Sequence, residues 1–340
     1  MANNIKNTYC FDDVLLVPKY SEILSRKEID LSSTVGKDLY FGLPVISSPM
    51  DTVTESQMAK RMGESGGLGI IHRYNSIEDQ AKMVSEVARS GSVPAAAIGV
   101  SGDYLERASE LELAGAKILC IDIAHGHHAM MRYALKTIRN TIGHDIHIMA
   151  GNVATLDGFN DLSDWGANSV RVGIGGGSIC STRIQTGHGM PTFQSILDCA
   201  ASDRDTALIA DGGIRNSGDI VKALAAGADF VMLGSLLAGT DESPGEEMYI
   251  GGERYKSYRG MASVEAQIEW RGHTASVEGV SSTVPCKGPL KNVLLNLETG
   301  IRSGLSYTGA KNIRELQTFG KFISQSHAGA IESSTHINKK

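Results

Sequence analysis

The sequence lacks a long apolar run: no stretch of apolar residues reaches the roughly 20 positions that a membrane-spanning helix requires. Residues 1–6 also lack the apolar segment of a secretory signal peptide. Positive charge is in deficit, with 32 Lys and Arg against 38 Asp and Glu and a net charge of −6. These absences argue against a membrane and against a nucleic acid as the partner, and they predict a cytoplasmic protein.

Cysteine is scarce as well. The chain has five cysteines, an odd number, and none of them shows Cys-x-x-Cys spacing: Cys10, Cys120, Cys180, Cys199 and Cys286. A disulfide framework uses an even number of cysteines, and structural zinc sites use closely spaced pairs. The pattern therefore predicts reduced thiols, of which at most one has a chemical role.

The 340 residues do contain a repeated unit, a short apolar strand followed by an amphipathic helix. We predict eight strands, at 44–47, 67–71, 95–100, 117–121, 147–150, 169–172, 207–210 and 230–233, with helices between them, among others at 76–90, 104–114 and 217–226. Alternating strands and helices form a parallel sheet, and eight units favour a closed barrel. The predicted fold class is α/β, a TIM (β/α)8 barrel that forms a single catalytic domain over 1–340.

Polar residues follow nearly every predicted strand, and barrels of this kind place their active sites at those strand ends. The most informative of these segments is Gly-Ile-Gly-Gly-Gly-Ser-Ile-Cys-Ser-Thr at 173–182. Glycine backbone can approach an anion closely, Ser178 adds a hydroxyl donor, and Cys180 is a nucleophile two residues further on. Together with the glycines after the last two strands, the loop predicts a phosphate site beside a reactive thiol.

A long insertion, 240–288, follows the eighth strand. Its first part predicts a hairpin at 247–258, with Gly251 and Gly252 at the turn. The stretch 261–285 is polar and rich in Ser and Gly, which is typical of a mobile flap that closes over a site. We therefore predict that this insertion is a hairpin and flap.

Several motifs occur together along the chain. They are Phe-Asp-Asp-Val-Leu-Leu at 11–16, Ser-Pro-Met-Asp-Thr-Val at 48–53, Asp-Ile-Ala-His-Gly-His at 122–127, Ala-Gly-Asn-Val at 150–153, the 173–182 loop, Ala-Asp-Gly-Gly-Ile-Arg at 210–215 and Tyr-Arg-Gly-Met at 258–261. On these motifs the chain resembles the inosine monophosphate (IMP) dehydrogenase and guanosine monophosphate (GMP) reductase family over nearly its whole length. Gly176 stands where the family pattern usually has proline, which predicts a looser loop because the fixed φ of proline is lost.

The resemblance implies covalent chemistry on a purine nucleoside monophosphate. In both branches of the family a cysteine attacks carbon 2 of the purine, and a hydride moves between that carbon and a nicotinamide. Cys180 matches the nucleophile, and Thr182 and Glu278 match the residues that handle the proton. Asp211 matches the residue that binds the ribose hydroxyls. The positions that match substrate-binding residues are Ser48, Met50, Ser178, Asp211, Gly212, Gly213, Gly234, Ser235, Tyr258, Gly260, Met261 and Glu278.

The resemblance also implies a nicotinamide cofactor. Asp122 and Asn152 match positions where the nicotinamide riboside stacks. Trp270 and Arg271, preceded by a glutamate, are similar to a reductase Glu-Tyr-Arg segment that engages the cofactor, although extra residues after Arg271 leave its alignment open. Arg73 and Arg271 together favour the 2′-phosphate of NADPH, because a guanidinium pairs well with phosphate. NAD is the alternative cofactor.

Two features bear on whether the chain is a dehydrogenase or a reductase, the cystathionine-β-synthase (CBS) domains and the flap, and the flap is the stronger of the two. Dehydrogenases usually carry two CBS regulatory domains after the second strand, and their longer flap has an Arg-Tyr pair whose arginine is the base for water. Here the second strand runs directly into a helix, and the 17 flap residues 261–277 contain no Arg-Tyr pair. These features favour the reductase, which converts GMP and NADPH to IMP, ammonia and NADP⁺. An IMP dehydrogenase, which makes xanthosine monophosphate (XMP) and NADH, is the alternative.

Other segments are closer to the dehydrogenase pattern, including Thr-Val-Thr-Glu at 52–55, residues 241–246 and a C-terminal tail at 320–340. Within the tail, residues 327–333 resemble a dehydrogenase segment that supplies carbonyl groups to a potassium ion beside the cysteine loop of a neighbouring subunit. This resemblance implies a homotetramer and a potassium site, formed by Gly173, Gly175 and Cys180 of one subunit with Glu332 and Ser333 of the next. A non-catalytic nucleotide-binding barrel is a more remote alternative, and a deoxyribonucleotide or a modified purine stays open as the substrate.

Overall fold

The computed structural model describes residues 5–36, 39–333 and 335. At its centre eight parallel strands form a closed barrel. They are β1 (Val45–Ser47), β2 (Leu68–Ile71), β3 (Ala95–Ile98), β4 (Ile118–Asp122), β5 (His147–Val153), β6 (Ser169–Val172), β7 (Ala207–Asp211) and β8 (Phe230–Leu233). Each strand pairs with the next along the chain, and β8 pairs with β1, which confirms the predicted (β/α)8 barrel.

Burial on both faces explains why the strands appear in the sequence as short, continuous apolar runs. Every residue of β1, β2, β3, β6 and β8 is buried. Ile46, Ile70 and Met149 belong to the hydrophobic cluster inside the barrel. A short hairpin, Ser33–Val35 with Leu39–Phe41, contributes to the same cluster, and Phe41 packs edge-on against Phe230 with ring centroids 5.8 Å apart.

The described residues also form twelve α-helices, most of which follow the barrel strands. They are α1 (Ser56–Glu64), α2 (Ile77–Arg89), α3 (Tyr104–Leu113), α4 (Ala129–Ile142), α5 (Leu156–Asp164), α6 (Thr182–Thr186), α7 (Thr192–Cys199), α8 (Ser217–Ala225), α9 (Val264–Arg271), α10 (Leu290–Thr308), α11 (Ile313–Phe319) and α12 (His327–Glu332). Side-chain caps fix several helix starts: Ser76 accepts from Asp79 N, and Asn216 accepts from Asp219 N. Within the described part of the chain, no helix is both long and apolar enough to cross a membrane.

The insertion between β8 and α10 folds as a three-stranded antiparallel sheet that carries one helix, α9. The strands are Glu247–Ile250, Glu253–Arg259 and Ser281–Pro285. Gly251 and Gly252 form the hairpin turn, where both have positive φ as a two-residue turn requires. The flap is therefore more regular than its polar composition suggests, because its third strand is stabilised by pairing with the hairpin.

The two terminal parts of the described chain meet on one side of the barrel. Strand Val14–Leu16 pairs antiparallel with Phe322–Ser324, and α12 follows. Between β2 and α2 the connection is residues 72–76 alone. Residues 1–4 and 37–38 of the predicted domain, and residues 334 and 336–340 of the predicted tail, lie outside the described residues.

Candidate active site

The carboxyl ends of the strands and the flap enclose a cavity of about 460 Å³, a size suited to a small organic ligand. The structure brings every predicted catalytic and substrate-binding residue into its wall: Cys180, Thr182, Glu278, Ser48, Met50, Ser178, Asp211, Gly212, Gly213, Gly234, Ser235, Tyr258, Gly260 and Met261. Asp122, Asn152, Arg73 and Arg271 from the predicted cofactor set also line it. Strand ends far apart in sequence thus form one site.

A chain of hydrogen bonds starts at the predicted nucleophile. The thiol of Cys180 donates to Thr182 Oγ1 over 3.1 Å, and that hydroxyl donates to Glu278 Oε2 over 2.8 Å. The other carboxylate oxygen of Glu278, Oε1, accepts from the Ser276 hydroxyl at 2.8 Å. A proton that leaves the sulfur therefore has a continuous path to a carboxylate.

Main-chain pairing between the 173–182 loop and the flap positions these side chains. Cys180 and Gly279 form an antiparallel β-bridge, and Val280 N donates to Ile179 O over 3.0 Å. At the start of the loop, Gly173 has φ +145°, and a Cβ there would lie 1.9 Å from the Asp211 carbonyl oxygen. Only glycine fits this approach of the loop to β7.

The environment of Cys180 differs from that of the other thiols. All five cysteines are unpaired. Burial raises the pKa of Cys120 to about 11 and that of Cys199 to about 12, which keeps both protonated. Cys180 instead faces the cavity beside a hydroxyl and a carboxylate. The geometry therefore singles out Cys180 as the thiol placed to react.

A buried arginine supports the polar floor of the cavity. Arg171, on β6, donates to Asp122 Oδ1 at 2.6 Å and to Asp211 Oδ2 at 2.8 Å. Asn152 Nδ2 also donates to Asp211 Oδ2, at 2.8 Å. The guanidinium thus fixes two carboxylates from different strands. Sequence reasoning missed Arg171, although an arginine within the otherwise apolar Ser-Val-Arg-Val strand is a signal for a buried ionic role.

Hydroxyl groups and glycines meet at one end of the cavity. Tyr258 is hydrogen-bonded with Ser178 and Ser235, and burial nevertheless raises the pKa of its phenol. Beside them a Cβ on Gly234 would lie 2.9 Å from the Tyr258 hydroxyl, so a larger residue there would displace that hydroxyl. Hydroxyl donors beside accessible glycine backbone are the usual components of a phosphate site.

Cations and aromatic rings dominate a second part of the wall. Tyr74 and Trp270 stack with ring centroids 5.9 Å apart, and the guanidinium carbons of Arg73 and Arg271 lie 5.4 Å and 5.7 Å from the Tyr74 centroid. Behind them Arg107 lies 6.0 Å from the Trp270 centroid. Tyr74, which the sequence did not single out, lines the cavity, whereas the predicted Trp270 packs behind it and does not.

Two buried polar atoms in this wall have no hydrogen-bond partner among the described residues, namely Arg73 Nε and Asn152 Oδ1. Buried groups of this kind cost free energy unless a ligand or water completes them. Arg73 Nε lies 3.9 Å from Asp122 Oδ2, which is an ion-pair contact beyond hydrogen-bond distance, so it can still donate to an anion. The Asn152 carbonyl offers an acceptor to a hydroxyl or an amide. These donors and acceptors fit a nicotinamide nucleotide.

The residues of the predicted potassium site are not brought together within one chain. Gly173, Gly175 and Cys180 line the cavity, whereas Glu332 and Ser333 do not. The tail instead follows a segment in which Gln325 N donates to Asp13 O over 2.8 Å. A site that combines both groups requires a second subunit, so it stays a prediction.

Comparisons with known proteins agree with this geometry. Residues 8–336 match the family model described as the IMP dehydrogenase / GMP reductase domain. The chain is 38% identical to the IMP dehydrogenase of Borreliella burgdorferi, over 99% of this chain and 98% of that protein. It is 35% identical to the IMP dehydrogenase of Nitrosopumilus maritimus, over 97% and 98%. It is also 32% identical to the GMP reductase of Leishmania major, over 96% of each.

Proposed function

Because the chain belongs to the IMP dehydrogenase / GMP reductase family, we propose that it is an oxidoreductase of purine nucleotides that reductively deaminates GMP. GMP, NADPH and two protons become IMP, NADP⁺ and an ammonium ion. The observation that carries the proposal is the hydrogen-bond chain from Cys180 through Thr182 to Glu278. A departing amine needs a proton, and this chain holds one beside the nucleophile.

The first half of the reaction is the work of this chain's own side chains. Cys180 gives up its proton to the Thr182–Glu278 pair, and its sulfur bonds to carbon 2 of the guanine. The pair then delivers a proton to the 2-amino group, which leaves as ammonia and breaks the carbon–nitrogen bond. In this scheme Asp211, held by Arg171 and Asn152, accepts hydrogen bonds from the ribose hydroxyls.

The second half returns the thiol. When bound, NADPH would supply a hydride to carbon 2, and the sulfur that leaves carbon 2 would take up a proton from solvent to restore the Cys180 thiol. We assign Asp122, Asn152, Arg73 and Arg271 to the cofactor, with Tyr74 as the ring that faces it. Water competes at carbon 2 at this stage, and we assign the flap, whose Glu278–Gly279 backbone is paired with the cysteine loop, the role of limiting its access.

The second candidate is an IMP dehydrogenase, which would use the same thiol and release XMP and NADH. It is favoured by the names of the two relatives in Borreliella burgdorferi and Nitrosopumilus maritimus. An Arg-Tyr pair also lines the cavity, but it is Arg73-Tyr74 from the loop after β2, not a flap pair. We favour the reductase because flap residues 261–277 contain no arginine followed by tyrosine.

Two parallel assays in potassium buffer test the proposal, one with GMP and NADPH and one with IMP and NAD⁺. We expect loss of the reduced-nicotinamide absorbance in the first and none gained in the second, with IMP identified by chromatography. Gain in the second assay would establish the dehydrogenase instead. Silence in both, with nucleotide binding intact, would overturn both candidates and direct the assay to deoxyribonucleotides and modified purines, and silence with these as well would favour a binding module.

Glu278→Gln separates proton transfer from binding. The amide keeps the side-chain size but cannot carry the proton, so we expect kcat to fall by about 100-fold or more while GMP affinity stays within a few-fold. An unchanged kcat would remove Glu278 from the mechanism.

Two further measurements test the proposed assembly. Exchange of potassium for sodium in the assay tests the proposed potassium site, and sedimentation of the purified protein tests the proposed tetramer.

A further inference from the structure

The flap contains a buried glutamine whose amide is fully used by main-chain groups. Gln267, on α9, is 2% exposed. Its Nε2 donates to Ala262 O at 3.1 Å and to Ser276 O at 2.8 Å, and its Oε1 accepts from Ala275 N at 2.9 Å. Both amide hydrogens and the carbonyl oxygen are thereby engaged. Although Gln267 borders the cavity, its polar atoms hold the 275–276 loop against α9 and are not free for a ligand.

The loop that Gln267 holds reaches the proton pair. Ser276 Oγ donates to Glu278 Oε1 at 2.8 Å, while Glu278 Oε2 accepts from Thr182 at 2.8 Å. Each carboxylate oxygen therefore has one specific donor, of which one lies in the flap and the other at the start of α6. A carboxylate held at one oxygen can rotate about its last torsion angle, which is broad, whereas one held at both oxygens cannot.

We propose that Gln267 is a positioning residue for the Thr182–Glu278 pair and acts through Ser276. By fixing the loop, Gln267 places the Ser276 hydroxyl where it locks the Glu278 carboxylate with Oε2 directed at Thr182. The proposal rests on the proposed function only in requiring that this pair takes part in turnover. It also gives α9 two roles, since the same helix places Arg271 over Tyr74 at the cofactor end of the cavity.

Two variants remove the link at different points. Gln267→Met keeps approximately the side-chain volume and removes all three hydrogen bonds, and Ser276→Ala removes the donor to Glu278. We expect each to lower kcat about tenfold with KM for GMP within about twofold, since a misdirected carboxylate affects the reaction more than binding. The double variant should be no slower than either single one, because both changes break the same contact.

The controls separate positioning from general destabilisation. Ser276→Thr keeps a hydroxyl and should retain at least half of the wild-type kcat. Gln317→Met removes a glutamine of α11 that donates to Ala228 O, away from the cavity, and should leave kcat unchanged. A kcat near wild type in Gln267→Met, a loss confined to KM, or additive losses in the double variant would each overturn the proposal.

A second measurement does not depend on turnover. We would follow alkylation of Cys180 by iodoacetamide with mass spectrometry in wild type, Glu278→Gln, Gln267→Met and Ser276→Ala. Gln267→Met and Ser276→Ala should change the rate in the same direction as Glu278→Gln, and wild-type rates in both would overturn the proposal. If the wild type turns over neither nucleotide, the proposed function fails while this assay still decides the role of Gln267.

Discussion

At the amino-terminal end of the barrel, buried polar side chains find partners within the protein, whereas at the carboxyl-terminal end several do not. His147 Nε2 lies 2.8 Å from Ser169 Oγ, and Arg139 donates to the carbonyl oxygens of Ile146 and Gly166. Six buried side-chain polar atoms in the described residues lack partners, and five belong to the cavity end: Asp51 Oδ1, Arg73 Nε, Asn152 Oδ1, Ser181 Oγ and Thr192 Oγ1.

This difference in hydrogen-bond pairing shows that one end of the barrel contributes mainly to stability and the other end mainly to ligand binding and catalysis. Polar groups at the amino-terminal end are satisfied before any ligand arrives, so they contribute to folding. Groups at the cavity end keep unused hydrogen-bonding capacity, and a bound nucleotide can complete those that line the cavity, Arg73 Nε and Asn152 Oδ1. Substitutions at the two ends should therefore change different measurements, and the following four predictions test that separation from the largest expected effect to the smallest.

The largest effect is expected for Cys180→Ala. Without the sulfur no covalent adduct forms, so turnover should fall by about 10⁴-fold or more. Nucleotide affinity and the free energy of unfolding should stay close to wild type, because a partly exposed thiol contributes little to packing. Steady-state kinetics, calorimetric titration with GMP and urea unfolding measure the three quantities, and retained activity would contradict the mechanism.

Arg171→Met should be an exception to the separation between the two ends. Arg171 lies at the cavity end but is already paired, so its loss should affect both stability and activity. The change leaves Asp122 and Asp211 without their shared cation in a buried setting. We expect the free energy of unfolding to fall by about 3–5 kcal/mol, together with loss of activity. Arg89→Met, at an exposed arginine of α2, is the matched control and should change unfolding by less than about 0.5 kcal/mol.

His147 predicts how the amino-terminal end responds to acid. Burial, with a smaller contribution from Arg139, lowers the pKa of His147 from 6.5 to about 4. Below pH 6.5 the unfolded chain binds a proton at His147 that the folded protein does not bind until about pH 4. The stabilising contribution of neutral His147 is therefore complete above pH 6.5 and is lost as the pH falls toward 4. Wild type should therefore lose about 3 kcal/mol relative to His147→Gln between pH 7 and pH 4. If urea unfolding gave the same pH dependence of the unfolding free energy for wild type and His147→Gln, this prediction would be contradicted.

The smallest effects are expected when one buried hydroxyl is removed from each end of the barrel and the unfolding free energies are compared. Ser169→Ala removes the partner of His147 and should cost about 1–2 kcal/mol of unfolding free energy. Thr192→Val removes a buried hydroxyl that has no partner, so its cost should be near zero or negative. Thermal unfolding of both variants measures the difference, and equal losses would mean that the two ends do not differ in this way.

The sequence predicted the barrel well because its strands are buried on both faces, which produces distinctive apolar runs such as Phe230–Leu233. The sequence also predicted where α2 and α8 begin, because their N-cap residues, Ser76 and Asn216, are of types that accept hydrogen bonds from the first turn of a helix. Site residues at the carboxyl ends of strands, such as Asp122 and Asp211, were placed correctly at the cavity because the carboxyl ends of all strands of the barrel lie on the same side.

What the sequence did not predict depends on partners distant in the chain. The strand Ser281–Pro285 exists because it pairs with Glu253–Arg259, which no local propensity reveals. Likewise Tyr74 reaches the cavity because Trp270, from the flap, stacks behind it. For α9 the local signals were present, since Ser263 caps its start and Gly272 ends it at φ +72°, but its weak apolar pattern concealed them.

The β-bridge between Cys180 and Gly279 also bears on how the protein can evolve. The bond from Val280 N to Ile179 O is formed by backbone, so it does not depend on which side chain position 280 carries. Val280 is 49% exposed, and any residue except proline preserves its donor. Mutations can therefore accumulate in this part of the flap, and new specificities can arise there, while a carboxylate remains next to the thiol.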